Sequence, residues 1–347
     1  MMDDQQITSD LESWFDLNAR ELPWRLDERD PYHALVSELM LQQTQVSRVL
    51  EKYEPFITQF PTVQSLADAP EDEVLAAWAG LGYYRRARML HACAKAIVEE
   101  HHGQVPKDVE TLQTLPGIGR YTAGAIASMV FGQREPIVDG NVTRVLLRLH
   151  NKPEPQTDKD TIKWAWARAD ELVKSAARPA VFNEAMMELG ATCCTPKNIR
   201  CAQCPWQHQC QAFANGTTES IPLPKPKAKQ KPLYCATVVA TKGGSVLLEQ
   251  RPDTGMWASM YQAPTIEHAD RAFEPTEIAE QLNVKADGLD ELGRFRHITT
   301  HRVVEFVVYR AAKVNASPSH HYHPLAELDQ IALSNAQRKV LTMAGLI

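Results

Sequence analysis

The sequence predicts a multidomain protein in which an all-α domain is followed by an α+β domain. Apolar residues recur at helical spacing through most of residues 8–190, whereas apolar segments typical of strands dominate after residue 233. Between the two regions lies a segment rich in proline and lysine. We therefore predict a helical domain over residues 1–220, a linker over 221–232 and an α+β domain over 233–347.

The composition is that of a soluble globular protein. Of the 347 residues, 44% are hydrophobic and 23% are charged. No apolar run approaches the ~18 residues of a membrane helix, and the acidic, polar start is unlike a signal peptide. The net charge of −6 argues against a non-specific nucleic-acid coat but leaves room for a local basic face. We expect a cytoplasmic protein without a membrane partner.

The N-terminal domain is predicted as a succession of helices. Pro31 suits the first turn of one of them, because its missing N–H would have no intrahelical partner there. One predicted helix begins at Pro31 and another follows the turn at 116–119, each without a predicted end. The other predicted helical ranges are 8–20, 46–60, 71–79, 86–101, 109–115, 142–150 and 160–190.

Glu38 is one acid within a mostly apolar helix. Two interpretations are open for it: an exposed carboxylate on the solvent side, or a desolvated one among Leu35, Leu39 and Met40. Burial would raise its pKa, which a general acid or base near neutral pH requires. Gln42, four residues on, shares its face.

Residues 115–126 and 138–141 form the second notable pattern. Pro116, Gly117 and Gly119 predict a tight turn that opens a helix, whose free N–H groups suit a phosphate. Asp139 follows in a glycine-containing turn before the next helix. The combination suggests chemistry on a nucleic-acid strand, and an ordinary helix–turn–helix corner is the alternative.

Two further stretches combine cations with features of nucleic-acid contact. Residues 80–88 place two tyrosines and three arginines beside a glycine-rich turn, where they could stack on bases and meet phosphates. The linker 221–232 carries four lysines and no acid. Each stretch could equally be a solvated turn or hinge.

Five of the seven cysteines fall within 18 residues, in a loop at 190–212. Without a secretory signal, a metal site is favoured over disulfides. The spacing of the four at 194, 201, 204 and 210 leaves zinc and an iron–sulfur cluster both open. Cys193 is then a spare thiol, while Cys93 and Cys235 are predicted to be buried.

The C-terminal domain alternates strands with two short helices. Strands are predicted over 234–240 and 245–250, with a long hydrophobic pair within 293–311. The helices are predicted over 276–282 and 334–344.

Together these motifs carry a family resemblance. Residues 8–222 resemble a helix–hairpin–helix base-excision glycosylase with an iron–sulfur loop, and the whole chain resembles adenine DNA glycosylases of the MutY type. The C-terminal domain resembles their Nudix-like 8-oxoguanine recognition module, although it has no Arg-Glu-x-x-Glu-Glu box of a pyrophosphatase. The matching stretches are residues 22–25, 37–44, 80–84, 115–126, 138–141 and the loop of Cys194, Cys201, Cys204 and Cys210.

The resemblance implies roles for the catalytic residues. Glu38 would protonate adenine N7 and help activate water, while Asp139 would stay ionised and stabilise the oxocarbenium-like sugar. Tyr121 and Asn141 would line the site. Related bifunctional enzymes place a lysine where this chain has Tyr121, so a monofunctional glycosylase that leaves an abasic site is expected.

It also implies recognition residues, a cofactor and a partner. The partner is double-stranded DNA with adenine opposite 8-oxoguanine or guanine, bound by a monomer associated with the nucleoid. Gly117 and Gly119 would hold a phosphate, and a [4Fe–4S] cluster would bind the four cysteines. The residues implied for the flipped-adenine pocket are Trp24, Arg25, Leu41 and Glu184. Those implied beside the opposite base are Gln43, Thr44, Leu81, Tyr83, Thr300 and His301.

One departure and two alternatives accompany this reading. Where MutY proteins often carry Phe-Ser-His, this chain has Thr299, Thr300 and His301, so the serine hydroxyl is replaced but the aromatic wedge is lost. A glycosylase for thymine or uracil opposite guanine is one alternative, against which the Nudix-like domain argues. A non-catalytic iron–sulfur DNA-binding protein is the other, against which Glu38 and Asp139 argue.

Overall fold

A computed structural model describes residues 3–26, 28–224, 230–284, 288–299, 301–312, 314 and 319–347. The described residues divide into two compact units. The first comprises Met1–Asp68 with Arg88–Pro226, and the second comprises Ala69–Ala87 with Lys227–Ile347. The domain boundaries at 220 and 232 stay a prediction, although residues 69–87 group with the second unit rather than with the helical one.

The N-terminal two thirds of the chain are helical, as predicted. Several of the helices begin at a side-chain cap such as Asp3, Asp30 or Asp158. All belong to the first unit except α5 and the start of α6. They are α1 (Asp4–Asn18), α2 (Pro31–Leu41), α3 (Val46–Gln59), α4 (Val63–Asp68), α5 (Glu71–Ala77), α6 (Arg85–His101), α7 (Val109–Thr114), α8 (Arg120–Met129), α9 (Gly140–Leu149), α10 (Lys159–Ser175), α11 (Pro179–Thr192) and α12 (Gln211–Ala214).

The first unit buries one large core among α1, α9, α10 and α11. Leu11, Leu146, Leu172 and Leu189 from these four helices are completely buried in it. Trp206, from the cysteine loop, joins the same core and donates its indole N–H to the Ile7 carbonyl at 2.9 Å. The loop is therefore fixed to the helical core by packing as well as by its own hydrogen bonds.

Three helix predictions differ from the structure. The predicted helix 160–190 is two helices, because Pro179 at the first position of α11 cannot continue α10. The first helix begins at Asp4 rather than residue 8, since the Asp3 carboxylate accepts from Gln5 N at 3.0 Å and caps it. The short α4 was not predicted. No helix of the described residues has the length and apolarity needed to span a bilayer.

The second unit contains two four-stranded sheets. One has the order β5-β1-β7-β6, in which β1 and β7 are parallel and the other pairs antiparallel; in the other, β3 pairs with β2, β4 and β8. Helices α13 (Pro275–Gln281) and α14 (Asn335–Met343) accompany them. The strands are β1 (Lys231–Val239), β2 (Thr241–Lys242), β3 (Ser245–Gln250), β4 (Tyr261–Gln262), β5 (Thr265–His268), β6 (Leu289–Ile298), β7 (Arg302–Ala311) and β8 (His320–Pro324).

The predicted linker is shorter than expected at its C-terminal end. Lys231 and Pro232 already belong to β1, where they pair with Arg302 and Val303 of β7. At the other end, Leu223 N donates to the Glu154 carbonyl of the first unit at 3.2 Å. The linker lysines 225, 227 and 229 lie outside the described residues, so their predicted phosphate contact has no structural description.

Candidate active site

A cavity of about 650 Å³ opens in the first unit. Its wall is built from α2, from the N-terminal ends of α8 and α9, from α11 and from the segment at residues 20–29. The structure thus brings together residues that lie far apart in the sequence. The predicted site residues that line it are Trp24, Arg25, Glu38, Leu41, Gln43, Thr44, Gly117, Gly119, Tyr121, Asp139, Asn141 and Glu184.

Glu38 lies on the buried face of α2. Only 5% of the Glu38 surface is exposed to solvent, so the desolvated interpretation is confirmed and the solvent-exposed alternative is wrong. Among the described residues, its Oε2 has no hydrogen-bond partner. Burial raises the pKa of Glu38 to about 7, assisted by Glu184 and Asp139 and opposed by Tyr121 and Arg29. The carboxyl therefore holds a proton at neutral pH far more readily than an ordinary glutamate.

Tyr121 stands in the first turn of α8 beside Glu38. Its hydroxyl donates to the Met187 sulfur at 3.4 Å and also interacts with the Glu38 carboxyl. Burial, together with these neighbouring acids, raises the pKa of Tyr121 well above its ordinary value. The phenol therefore stays protonated and acts as a hydrogen-bond donor.

Asp139 is the N-cap of α9. Its Oδ1 accepts from Val142 N at 2.7 Å and its Oδ2 accepts from Asn141 Nδ2 at 2.9 Å. Burial raises the pKa of Asp139, and these hydrogen bonds and Arg144 oppose it without reversing the direction. A helix start by itself favours the charged form. The pKa of Asp139 is nevertheless raised, because desolvation is the larger effect.

A buried arginine connects this carboxylate to the cysteine loop. Arg144 Nη2 donates to Asn141 Oδ1 at 2.9 Å and to the Gly190 carbonyl at 2.8 Å, while its Nε donates to the Cys194 carbonyl at 2.9 Å. The side chain of Asn141 is thereby held between Arg144 and Asp139. The orientation of the Asp139 carboxylate consequently depends on Arg144, which does not line the cavity.

Two glutamates one turn apart on α11 are paired with three arginines. Arg20 binds Glu188 in a fork, with its Nε at 2.6 Å and its Nη2 at 3.0 Å from the two carboxylate oxygens. Arg25 Nη2 reaches Glu188 at 3.2 Å, and Arg29 pairs with Glu184. Burial raises the pKa of Glu188, but these arginine contacts outweigh it and hold the pKa below its ordinary value. Both carboxylates are fixed acceptors.

The hairpin turn forms as predicted, between α7 and α8. Gly117 has a φ of +78°, and a Cβ there would lie 2.5 Å from Met89 Cβ, so only glycine fits. Gly119 is the N-cap of α8, faces open space and leaves the first amides of the helix without a side-chain acceptor of its own. These amides point to a site where an anion could bind.

The segment after α2 presents polar groups at the cavity mouth. Gln43 is exposed and has a φ of +54°, a left-handed conformation that is uncommon for a residue with a side chain. Gln42 Nε2 donates to Thr122 Oγ1 at 3.2 Å and so ties this turn to α8. The side chain of Gln43 is thereby projected from a fixed turn.

The cysteine loop surrounds a second cavity. All seven cysteines are free thiols, and Cys93 and Cys235 are buried as predicted. Arg148 Nη1 donates to Cys194 Sγ at 3.3 Å on the cavity wall. No three His, Cys, Asp or Glu side chains of the described residues are grouped as ligands of one metal ion. The thiols that line the cavity are Cys193, Cys194, Cys201, Cys204 and Cys210.

The remaining predicted residues belong to the second unit and are described within it alone. Leu81 is buried, whereas Tyr83 is 53% exposed, has a φ of +48° and lies under the Arg86 guanidinium at 5.3 Å. His301 is exposed at the turn between β6 and β7. Thr300 lies outside the described residues. Thr299 N donates to the Arg302 carbonyl at 2.9 Å, which closes the turn.

Several residues of the first cavity were not predicted from the sequence, among them Arg20, Arg29, Met187 and Glu188. Glu188 had a sequence signal, since it follows Glu184 by four residues and therefore shares its helix face. The arginines had none, because they come from a segment without helical or strand periodicity.

Two family models match the chain. Residues 36–170 match the HhH-GPD superfamily of base excision DNA repair proteins, and residues 235–343 match the NUDIX domain. These matches confirm a helical glycosylase fold followed by a Nudix-like domain. A solved thermostable thymine-DNA glycosylase has a TM-score of 0.56 at 26% identity, over 61% of this chain and 97% of that one. An endonuclease III–DNA complex, at 23% identity and a TM-score of 0.52, shares the fold over 62% of this chain and 99% of that one.

Curated relatives extend the match to nearly the whole chain. The mouse adenine DNA glycosylase is 35% identical over 96% of this chain and 77% of its own length. The human adenine DNA glycosylase is 36% identical over 95% of this chain and 72% of its own length. An adenine DNA glycosylase of Mycobacterium tuberculosis (strain CDC 1551 / Oshkosh) is 42% identical over 58% of this chain and 67% of its own length. With its matched domains and its cavity, this chain belongs to the adenine DNA glycosylases, hydrolases of base excision repair.

Proposed function

We propose that the protein is a monofunctional DNA glycosylase that hydrolyses the N-glycosidic bond of adenine opposite 8-oxoguanine or guanine. The observation that carries this proposal is the Glu38 carboxyl, buried in the cavity with one oxygen unpaired among the described residues. Asp139 lines the same cavity as a second acid of different environment. Two carboxyl groups with separate roles are what hydrolysis of a glycosidic bond requires.

Glu38 supplies the proton in the proposed mechanism. Adenine leaves poorly as an anion, and protonation of its N7 turns it into a neutral leaving group. A carboxyl with a pKa of about 7 carries its proton in about half of the molecules at neutral pH, and its unpaired Oε2 is free to meet N7. Once ionised, Glu38 accepts a proton from the attacking water, while the Tyr121 hydroxyl stays beside the carboxyl.

Asp139 and Asn141 are assigned to the stabilisation of the deoxyribose in the transition state. As the bond to adenine breaks, positive charge develops on the deoxyribose, and an ionised Asp139 stabilises it. The hydrogen bonds from Val142 N and Asn141 Nδ2 hold both carboxylate oxygens in place before the charge appears. Fixed groups of this kind need no reorganisation during the reaction.

A flipped adenine would occupy the region lined by Trp24, Arg25, Leu41 and Glu184. Leu41 and Trp24 offer apolar contact to the base plane. Glu184, which pairs with Arg29, is an acceptor for the exocyclic amine of adenine. Guanine and the keto pyrimidines carry an oxygen instead of an amine at the corresponding position. A carboxylate at this position favours adenine over bases that present an acceptor there.

The other contacts are assigned to the DNA around the flipped base. Amides at Gly117 and Gly119 would bind a backbone phosphate at the start of α8. Gln43 would wedge into the stack beside the opposite base, with Thr44 nearby. From the second unit, Tyr83 would also wedge into the stack, with Leu81 nearby, and Thr300 and His301 would recognise the opposite base. The substrate is duplex DNA, bound by a monomer in the cytoplasm at the nucleoid.

Tyr121 supports the monofunctional reaction. A glycosylase with lyase activity uses an amine to form a Schiff base with the sugar. Among the described residues that line the cavity there is no lysine, and the phenol at Tyr121 cannot form an imine. Water is then the nucleophile, and the product is an intact strand with an abasic site.

A [4Fe–4S] cluster is proposed for the second cavity, held by Cys194, Cys201, Cys204 and Cys210. The residues fit such a group, since all four thiols line one cavity and Arg148 donates to one of them. When bound, the cluster would cross-link the loop. It would thereby fix the Cys194 carbonyl that Arg144 contacts.

The test is single-turnover base release from duplexes with adenine opposite 8-oxoguanine, guanine or thymine. We expect adenine loss from the first two, with strand breaks only after alkali treatment. Strand breaks without alkali would contradict the monofunctional mechanism, and release of thymine or uracil opposite guanine would favour a different mismatch specificity. Duplex binding without base release would indicate a binding protein.

The pH dependence of base release follows from Glu38. Its proton must be present, so the single-turnover rate should be high below a pH of about 7 and fall about tenfold per pH unit well above it. At low pH the rate should fall as Asp139 is protonated. This fall should begin at a higher pH than for an ordinary aspartate, because burial raises the pKa of Asp139. Rates measured across this range test both limbs, and an unchanged rate at alkaline pH would contradict the acid role.

Arg144→Met should destabilise the helical unit and slow base release. The change leaves Asn141 Oδ1 and the buried Gly190 carbonyl without this donor and removes one of the two donors to the Cys194 carbonyl, at an expected cost of about 3 kcal/mol in unfolding free energy. Urea unfolding and single-turnover rates measure the two effects. Arg168→Met is the matched control: Arg168 pairs with Asp4 and Glu171 away from the cavity, so only stability should change.

A further inference from the structure

The two glutamates of α11 that line the first cavity differ in how many donors they accept. Glu188 accepts from the Arg20 backbone N–H at 3.2 Å, from the Arg20 guanidinium and from Arg25 Nη2, so both of its oxygens are occupied. Among the described residues, Glu184 accepts one hydrogen bond, from Arg29 at Oε1, and none at Oε2. That second oxygen is the acceptor left open to a base in the cavity.

Arg25 is the group that could occupy this oxygen. Its Nε lies 3.5 Å from Glu184 Oε2, an ion-pair distance that is too long for a good hydrogen bond. The other end of the guanidinium is held elsewhere, since Nη1 donates to the Arg20 carbonyl at 2.8 Å and Nη2 donates to Glu188 Oε2 at 3.2 Å. The guanidinium also lies over the Phe15 ring, 5.0 Å from its centre. Arg25 is thus fixed just outside hydrogen-bonding reach of Glu184.

Glu188 is buried deeply enough to act as a fixed anchor. Its side chain is 1% exposed, and it follows Glu184 by one turn of α11. A charge at this depth is costly to leave unpaired, so the carboxylate stays with its arginines. Loss of this carboxylate would leave Arg25 Nη2 without its acceptor. The guanidinium would then turn to Glu184 Oε2, the carboxylate oxygen that it already faces.

We propose that Glu188 is a positioning residue for base selectivity: it holds Arg25 away from Glu184 Oε2 and so keeps that oxygen available to the exocyclic amine of adenine. The inference rests on the adenine contact assigned to Glu184 under Proposed function. Both the amine and the guanidinium are donors, so they compete for the same lone pairs. Glu188 acts on the base through Arg25 and does not need to touch it.

The test compares single-turnover release of two bases opposite 8-oxoguanine, adenine and unsubstituted purine, which has no exocyclic amine. Glu188→Gln should slow adenine release about tenfold or more and change purine release less than about threefold, because only adenine uses the open oxygen. A purely structural role would slow the release of both bases alike. A Glu188→Gln protein that kept the wild-type ratio of the two rates, or slowed both equally, would overturn the inference.

Glu184→Gln separates this inference from the adenine contact on which it rests. Its single oxygen would pair with Arg29 and its amide N–H groups would face the base, so the adenine-to-purine ratio should fall here as well. The double variant with Glu188→Gln should lower the ratio no further, since both changes remove one contact. An unchanged ratio in Glu184→Gln would contradict the adenine contact itself. A ratio lowered by Glu184→Gln alone would contradict only the role of Glu188.

Two further variants complete the test. Glu12, which does not line the cavity, also accepts from a backbone N–H and a guanidinium, those of Arg178, at 3.0 and 3.4 Å. Glu12→Gln should therefore leave the ratio unchanged. Glu188→Asp keeps the charge if Glu188→Gln fails to fold, but its shorter side chain cannot reach both arginines, so the ratio should fall about threefold or more. A folded Glu188→Asp protein with the wild-type ratio would also overturn the inference.

Discussion

Glu38→Gln should lower the single-turnover rate of adenine release by about a thousandfold or more, at the upper part of the range for a general acid. The amide matches the carboxyl in size and can still interact with Tyr121, but it has no acidic proton for N7. The unpaired oxygen makes this change structurally mild, because the described residues place no donor on Oε2 that the amide would displace. Thermal stability and duplex binding should stay close to wild type.

Glu12→Gln is the matched control. Glu12 is as buried as Glu38, at 4% exposure, but it accepts from the Arg178 backbone N–H at 3.0 Å and does not line the cavity. Its substitution should cost stability, since an ionised partner of Arg178 is lost, and leave base release per folded molecule unchanged. A Glu38→Gln protein that released adenine within threefold of the wild-type rate would contradict the proposed mechanism.

The sequence predicted the helical fold well because its signals are local. Apolar periodicity, Pro31 and the glycines of the hairpin turn each act within a few residues, so most helices of the first unit were placed within a turn of their observed ends. The division between α10 and α11 had a local signal, Pro179, that the periodicity of 160–190 concealed. The short strands β4 and β8 had no such signal, because they are stabilised by pairing with β3, and β8 is distant from β3 in sequence.

The candidate site was predictable where a residue carries its chemistry in a motif. The apolar residues around Glu38 made burial one of two open interpretations, and the packed structure decides between them. The direction of the Asp139 pKa could not be, because a helix start lowers it, and only the packed structure shows that desolvation prevails. The Arg20 and Arg29 partners of Glu188 and Glu184 depend on tertiary contacts between the 20–29 segment and α11, which no local pattern reports.

Asp139→Asn should lower the rate of adenine release by about a hundredfold to a thousandfold, the range for loss of one preorganised electrostatic group in an active site. The substitution removes the negative charge while keeping a side chain that caps helices as well as aspartate. One oxygen must then serve where two did, so either Val142 N or Asn141 Nδ2 loses its acceptor. That loss should cost about 1 kcal/mol of stability, far less than the loss of rate.

Asp158→Asn is the control that separates the loss of charge in the active site from the loss of a helix N-cap. Asp158 is the N-cap of α10, accepts from Asp160 N at 2.9 Å and lies outside the cavity wall, so its substitution repeats the capping change without the catalytic one. We expect a similar small change in stability and no change in base release. If Asp139→Asn slowed the reaction no more than Asp158→Asn, charge at residue 139 would not stabilise the sugar. Because Glu38 and Asp139 act in one transition state, the double variant should fall well short of the product of the two single losses.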